Sequence, residues 1–245
     1  MTTPDGAARI LVAGATGEVG RLAVLDLLRH GARPALAGRD GRTLAELAGR
    51  TGCPARLLDA YDLDACAGAG RWALTELGRL DGVLVTVGVA GFGAADQVSD
   101  AAAEHLMTVN ALCPMAVLRG SVPVVRDGGF LAAVTGAIVN APLTGTADYA
   151  ASKSALACWL GVLKREVRRR RIAVVDARLP HLDTGFASRA VVGSPPPLRP
   201  GADPTTEVGA LVRELLGHLA GPALPEAPAP RRRADAPSPS APPDR

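Results

Sequence analysis

Arg9-Ile10-Leu11-Val12-Ala13-Gly14-Ala15-Thr16-Gly17-Glu18-Val19-Gly20 decides the fold. The first five residues are a short apolar run with a β-branched centre, glycines follow at 14, 17 and 20, and a helical pattern of apolar residues occupies 21–29. Strand, glycine turn and helix in that order put the turn at the carboxyl end of a buried strand. Glycines there let the main chain approach a pyrophosphate, and the helix N-terminus faces the anion. A Gly-rich turn can also serve tight packing alone, but the strand-turn-helix context favours a nucleotide site built from Gly14, Thr16, Gly17, Glu18, Val19 and Gly20.

The alternation continues downstream. Apolar strand patterns fall at 33–37, 55–59, 82–86, 129–135 and 172–179, and helical patterns at 42–47, 64–77, 99–125, 149–169 and 206–220. Strands alternating with helices of this length imply right-handed crossovers and a parallel sheet covered on both faces. The expectation is a single-domain, doubly wound α/β fold, Rossmann-like, with six to seven strands over residues 1–220. Ligands then bind outside the carboxyl ends of the strands, in the loops after Ala13, Ala37, Asp59, Thr86, Thr135 and Leu179.

Composition narrows the function. The chain has 245 residues, 48% of them hydrophobic but only 3% aromatic, so its core is filled by Leu, Val, Ile and Ala. A net charge of +3 is too small for a nucleic-acid footprint, and the basic run at 164–171 reads as a helix end complementing its own dipole. Cys53, Cys66, Cys113 and Cys158 lack metal-ligand spacing and read as buried, reduced thiols; no metal is expected. The polar N-terminus carries no secretory signal, and the apolar runs read as too short or too interrupted to span a bilayer. A cytoplasmic location without membrane or nucleic-acid partners is expected. Residues 185–203, with prolines at 195, 196, 197 and 200, read as a lid or binding loop. Residues 221–245, rich in Pro, Ala and Arg, read as a disordered tail.

Two rare residues stand one helical turn apart. Among 27 basic residues only Lys153 and Lys164 are lysines, and the only tyrosines are Tyr61 and Tyr149. Tyr149 and Lys153 share a helix face. A nearby ammonium stabilises a phenolate, so the pair can exchange a proton with an alcohol or carbonyl while a nicotinamide exchanges hydride. At the end of the second strand, Arg39 can pair with a 2′-phosphate and points to NADP(H), whereas the adjacent Asp40 keeps NAD(H) open.

Tyr149-Ala150-Ala151-Ser152-Lys153, with the glycine turn and the strand order, resembles the short-chain dehydrogenase/reductase family over about residues 8–220. The segment 178–185 resembles an actinobacterial subgroup of unassigned substrate. The resemblance implies that Asn110 helps hold a proton-relay water near the lysine, that Asp59 and Ala60 contact the adenine, and that Gly88 lies beside the cofactor. It implies that Pro180 begins the loop flanking the nicotinamide, with Thr184 reaching its carboxamide or a cofactor phosphate. The family's carbonyl-polarising serine, thirteen residues before the tyrosine, is Gly136 here, and Thr135 is the hydroxyl beside it. Either Thr135 takes the role or Tyr149 polarises the carbonyl alone. The resemblance also implies a homodimer or homotetramer joined through the long helices. The reading that results is an NADP(H)-dependent oxidoreductase interconverting a small-molecule carbonyl and a secondary alcohol. The alternative is a nucleotide-binding relative without ordinary redox chemistry.

Overall fold

The computed structural model describes residues 6–219. Six parallel strands form one sheet: β1 (Arg9–Ala13), β2 (Arg33–Gly38), β3 (Ala55–Leu57), β4 (Gly82–Val85), β5 (Phe130–Val134) and β6 (Ala173–Ala177), in the order β3-β2-β1-β4-β5-β6. The helices are α1 (Glu18–Arg29), α2 (Gly41–Thr51), α3 (Leu63–Leu77), α4 (Asp100–Met107), α5 (Cys113–Ser121), α6 (Ala147–Glu166) and α7 (Pro204–Leu219). The predicted tail at 221–245 lies outside the described residues, and a seventh strand is absent among them.

The strands are apolar on both faces because helices cover both. Leu11, Ala13, Val83, Val85, Leu131 and Ala133 pack toward α3, α5 and α6, where Leu156, Leu160 and Cys66 meet them. Ile10, Val12, Leu36, Leu84, Phe130 and Ala132 pack toward α1, α2 and α7. In a chain this poor in aromatics Phe130 fills the space beside a glycine: a Cβ on Gly82 would fall 2.2 Å from its ring. The chain moves outward from β1 to β3, then returns to β4 on the other side of β1. That reversal opens the crevice between the loops after β1 and β4.

The helix predicted over 99–125 is divided. Pro114 has no N–H to return to the carbonyl of Asn110 four residues earlier, so the ladder cannot continue unchanged. A π-helical turn, Thr108–Leu112, takes its place, and the N–H of Cys113 bonds the carbonyl of Thr108. The helix then stops at Ser121, two residues before Pro123. Read as one piece, Asp100–Ser121 is long and apolar enough to cross a membrane by length and composition, contrary to the sequence reading; half of it is buried in the fold. The thiols also differ from expectation: Cys66 and Cys113 are buried, Cys53 is half-buried and Cys158 is exposed.

Candidate active site

The glycine turn is built in two ways. Gly14 stands at φ +97, and a Cβ there would fall 2.5 Å from Thr86 Oγ1 and 2.8 Å from the Val87 nitrogen. On Gly20 a Cβ would fall 2.2 Å from the Gly14 carbonyl oxygen. Close packing of α1 against β1 and β4 therefore demands both. Gly17 is different: its backbone is extended, φ −78 and ψ 161, and an added Cβ would meet only the Gly14 oxygen at 3.5 Å. It is the N-cap of α1 without a side-chain cap, which leaves the N–H groups of Glu18, Val19 and Gly20 at the helix mouth. Thr16 packs over Gly38, where a Cβ would fall 2.8 Å from its methyl carbon, and Glu18 pairs with Arg21 at 2.6 Å.

At the end of β2 the two neighbours separate. Asp40 caps α2, accepting from the Thr43 N–H at 2.8 Å, and those bonds hold its carboxyl below the usual range. Arg39 is exposed and has no ion-pair partner among the described residues. After β3, Asp59 accepts from the Tyr61 N–H at 3.0 Å, and its carbonyl takes the Cys66 thiol proton at 3.3 Å. Ala60 packs on the core beside it.

Asn110 projects from the π turn and is fully buried. Its Oδ1 accepts from the Val89 N–H at 2.9 Å, while Nδ2 donates to the Val89 carbonyl and to Ser152 Oγ, both at 3.0 Å. Ser152 in turn donates to the Tyr149 carbonyl at 2.7 Å. One amide thus ties the loop after β4 to α6. Gly88 is pressed into this junction: a Cβ on it would fall 2.8 Å from Lys153 Nζ and 3.2 Å from Asn110 Oδ1.

Lys153 is buried and donates to the Val134 carbonyl at 3.2 Å. Burial pushes its pKa down to about 8, and burial pushes the Tyr149 phenol up to about 12. The sequence reading expected the lysine to lower the phenol. In the structure desolvation dominates both groups, and the ammonium is bound to a strand carbonyl. The Tyr149 ring lies against Phe92, centroids 6.3 Å apart and tilted by 59°.

Thr135, 1% exposed, gives its hydroxyl proton to Asp176 on β6. Asp176 also accepts from Arg178 at 2.8 Å, and Arg178 reaches Asn140. Gly136 stands at φ +88 and ψ 161, a region occupied almost solely by glycine. The structure therefore brings Lys153, Asn110 and Gly88 together, ties the Tyr149 main chain to them through Ser152, and directs Thr135 to a separate network.

The loop at 185–203 folds back over this end of the sheet. Val191 donates to the Ala90 carbonyl and Phe92 to the Val192 carbonyl, both at 2.9 Å, while Gly93 donates to Gly145 at 2.9 Å. The segment carrying Phe92 is thus clamped between the long loop and the start of α6. Pro180 is exposed, the His181 carbonyl accepts from Ala202 at 2.8 Å, and Thr184 Oγ1 accepts from Phe186, which leaves its hydroxyl proton free.

The sequence pattern of the short chain dehydrogenase family matches residues 8–191. The chain belongs to that family. Uncharacterized oxidoreductase Rv1714 of Mycobacterium tuberculosis is 30% identical over 224 residues, covering 83% of this chain and 82% of its own. Among solved structures, a short-chain dehydrogenase from Streptomyces avermitilis superposes with a TM-score of 0.77 at 20% identity, covering 89% of this chain and 92% of its own. An alcohol dehydrogenase from the archaeon Thermococcus sibiricus, complexed with 5-hydroxy-NADP, superposes at 0.73 with 19% identity, covering 85% and 91%. This short-chain dehydrogenase is therefore an NAD(P)-dependent oxidoreductase acting on a small molecule. Residues of the site that sequence reasoning missed are Ser152, Phe92 and Asp176. Ser152 lay inside the tyrosine motif, and a carboxylate within an apolar strand was the available signal for Asp176. Nothing local marked Phe92, because its contact with Tyr149 crosses the fold.

Proposed function

We propose that this short-chain dehydrogenase is an NADP(H)-dependent oxidoreductase interconverting a carbonyl and a secondary alcohol, with Tyr149 as the acid and base. The observation that carries the reading is the junction of Lys153, Asn110 and Gly88 beside a strand-end crevice, with Tyr149 one helical turn before Lys153 on α6. The residues fit a dinucleotide. Gly17 is a glycine that the fold itself does not require, at a helix mouth with uncapped N–H groups, which suits a pyrophosphate. Arg39 has no ion-pair partner among the described residues while Asp40 is held as a cap, an arrangement that favours a 2′-phosphate over a bare ribose. The cofactor of the Thermococcus sibiricus structure agrees with this preference.

When bound, the nicotinamide supplies or accepts the hydride. In the direction of reduction Tyr149, with its pKa near 12, carries its proton at neutral pH and donates it to the carbonyl oxygen. Lys153 stabilises the phenolate that remains. With the Thr135 hydroxyl donating to Asp176, polarisation of the carbonyl falls to Tyr149. Asn110, its amide committed on three sides, sets the Gly88 loop against Lys153; its main-chain carbonyl, released by Pro114, is the group suited to a relay water. Asp59 and Ala60 are assigned to the adenine, and Pro180 and Thr184 to the nicotinamide end. Outward-facing Met107, Leu112 and Val162 on the α4 to α6 surface support pairing of two copies.

The test is NADPH consumption, followed by absorbance, against a panel of ketones and quinones, with NADH in parallel. Turnover with a lower Michaelis constant for NADPH is expected. Tight NADPH binding with no consumption on any substrate overturns the reading in favour of a nucleotide-binding relative without redox chemistry.

A further inference from the structure

β6 is the last strand of the sheet, and its outer edge is open among the described residues. Ala173 donates to the Gly129 carbonyl at 2.9 Å, and the Ala177 carbonyl accepts from Thr135 at 3.1 Å. Residues 173, 175 and 177 therefore face β5, and Val174 and Asp176 between them turn their N–H and C=O groups outward. Along that edge lie two adjoining hollows. The smaller, about 340 Å³, lies beside Val174, Val175 and Asp176 between Leu160 on α6 and Glu214 on α7. The larger, about 790 Å³, has Lys164, Arg165, Arg168, Arg169 and Arg171 on its rim with Glu166 as the single carboxylate. All five cations are exposed, and none forms an ion pair among the described residues. Arg171 is held at φ +53, the one non-glycine residue so placed among those described. Glycine fits that conformation without strain, yet an arginine stands there.

We propose that this edge binds an acidic, extended polypeptide segment of a partner, which pairs with β6 as an added strand. Strand addition uses the outward groups of Val174 and Asp176. Alternate side chains of the added strand project to the α6 side, where carboxylates meet the five cations. Other occupants fit less well. A nucleic acid finds no Phe, Tyr or Trp lining either hollow, and His218 in the smaller one is the single ring on which a base could stack. A second copy brings the same cations. The chain's own continuation after Leu219 carries Arg231, Arg232 and Arg233, which add like charge.

Fluorescence anisotropy on the full-length protein tests this with a labelled peptide of about ten residues alternating Glu and Val, long enough to span β6 and its flanks. Two controls are an analogue in which proline replaces two adjacent central residues, so that one of them faces β6 in either strand direction, and an oligothymidylate of equal charge. Expected is saturable binding at least about tenfold tighter for the alternating peptide than for either control, with slowed amide exchange at Val174 and Asp176. Binding should weaken at least about tenfold in the triple variant Arg168→Ser, Arg169→Ser, Arg171→Gly, whose NADPH affinity and melting temperature serve as folding controls. Equal binding of the proline analogue, preference for oligothymidylate, or no binding overturns the proposal. Each of these outcomes leaves the redox reading untouched, because the edge is separate from Tyr149 and the glycine turn.

Discussion

Lys153 donates to the carbonyl oxygen of Val134 across 3.2 Å, which anchors the middle of α6 at the candidate site to the end of β5 while shutting the ammonium away from water. The same burial that places the charge also costs stability. Its pKa falls from an ordinary 10.5 to about 8, so the unfolded chain binds more protons between those values. Stability therefore rises with pH from about 8 to about 10.5. Tyr149 acts with the opposite sign: its pKa rises from 10 to about 12, the native state keeps the proton longer, and stability falls over that window. Lys153→Met is expected to be inactive yet more stable at neutral pH by up to about 3 kcal/mol. Denaturant melts at pH 7 and pH 10.5 check this, since the gain should shrink at the higher pH.

Tyr149→Phe keeps the ring against Phe92 and removes only the hydroxyl. Turnover should fall by about 10²- to 10⁴-fold while NADPH binding, read by fluorescence, changes little. Full activity in this variant sinks the assignment of the proton to Tyr149.

Gly17→Ala separates the fold from the ligand. An added Cβ makes only an ordinary contact with Gly14, so the melting temperature should stay within a degree or two, roughly the effect of a neutral surface change. NADPH affinity should drop by about tenfold or more, because the methyl group enters the space over the α1 mouth. A stable variant with unchanged affinity would show that no phosphate approaches Gly17.

Gly136→Ser restores the hydroxyl usual in the family but in the wrong conformation. At φ +88 and ψ 161 a side chain costs about 1–3 kcal/mol. The expected outcome is a less stable protein with no gain in turnover. Increased turnover at unchanged stability would mean that the segment relaxes and that a serine here is compatible with the site.

Arg39→Ser addresses the cofactor. With Asp40 bound to Thr43, loss of the guanidinium should raise the Michaelis constant for NADPH by about tenfold, the size of one charge-assisted contact, and leave that for NADH nearly unchanged. A parallel loss for both cofactors argues for a role of Arg39 in the loop rather than at a phosphate.

Much of this was readable in the chain. Alternating apolar runs specified six strands and their parallel order, because a strand covered on both faces must be apolar throughout and a helix of matching length must return the chain. The rarity of lysine and tyrosine drew attention to Tyr149 and Lys153, and their spacing alone placed them on one helix face. Element ends were set by local chemistry that the periodicity did not register: Pro114 split the helix predicted over 99–125, and Pro123 ended it early.

Only the tertiary structure decided where each polar group sends its hydrogen bonds. Thr135 and Asp176 are 41 residues apart in sequence, and although a carboxylate in an apolar strand marked Asp176, no local pattern named Thr135 as its hydrogen-bond donor. Asn110 and Lys153 were readable as residue types, but their partners at Val89, Ser152 and Val134 come from other elements. Burial, which moves both pKa values more than their neighbours do, is a property of the packed whole. The sequence by itself determined the sheet, the glycine turn and the tyrosine–lysine pair, since these depend on periodicity and on neighbours within one helical turn. The direction of each proton was decided by contacts across the sheet, which exist only once the layers close.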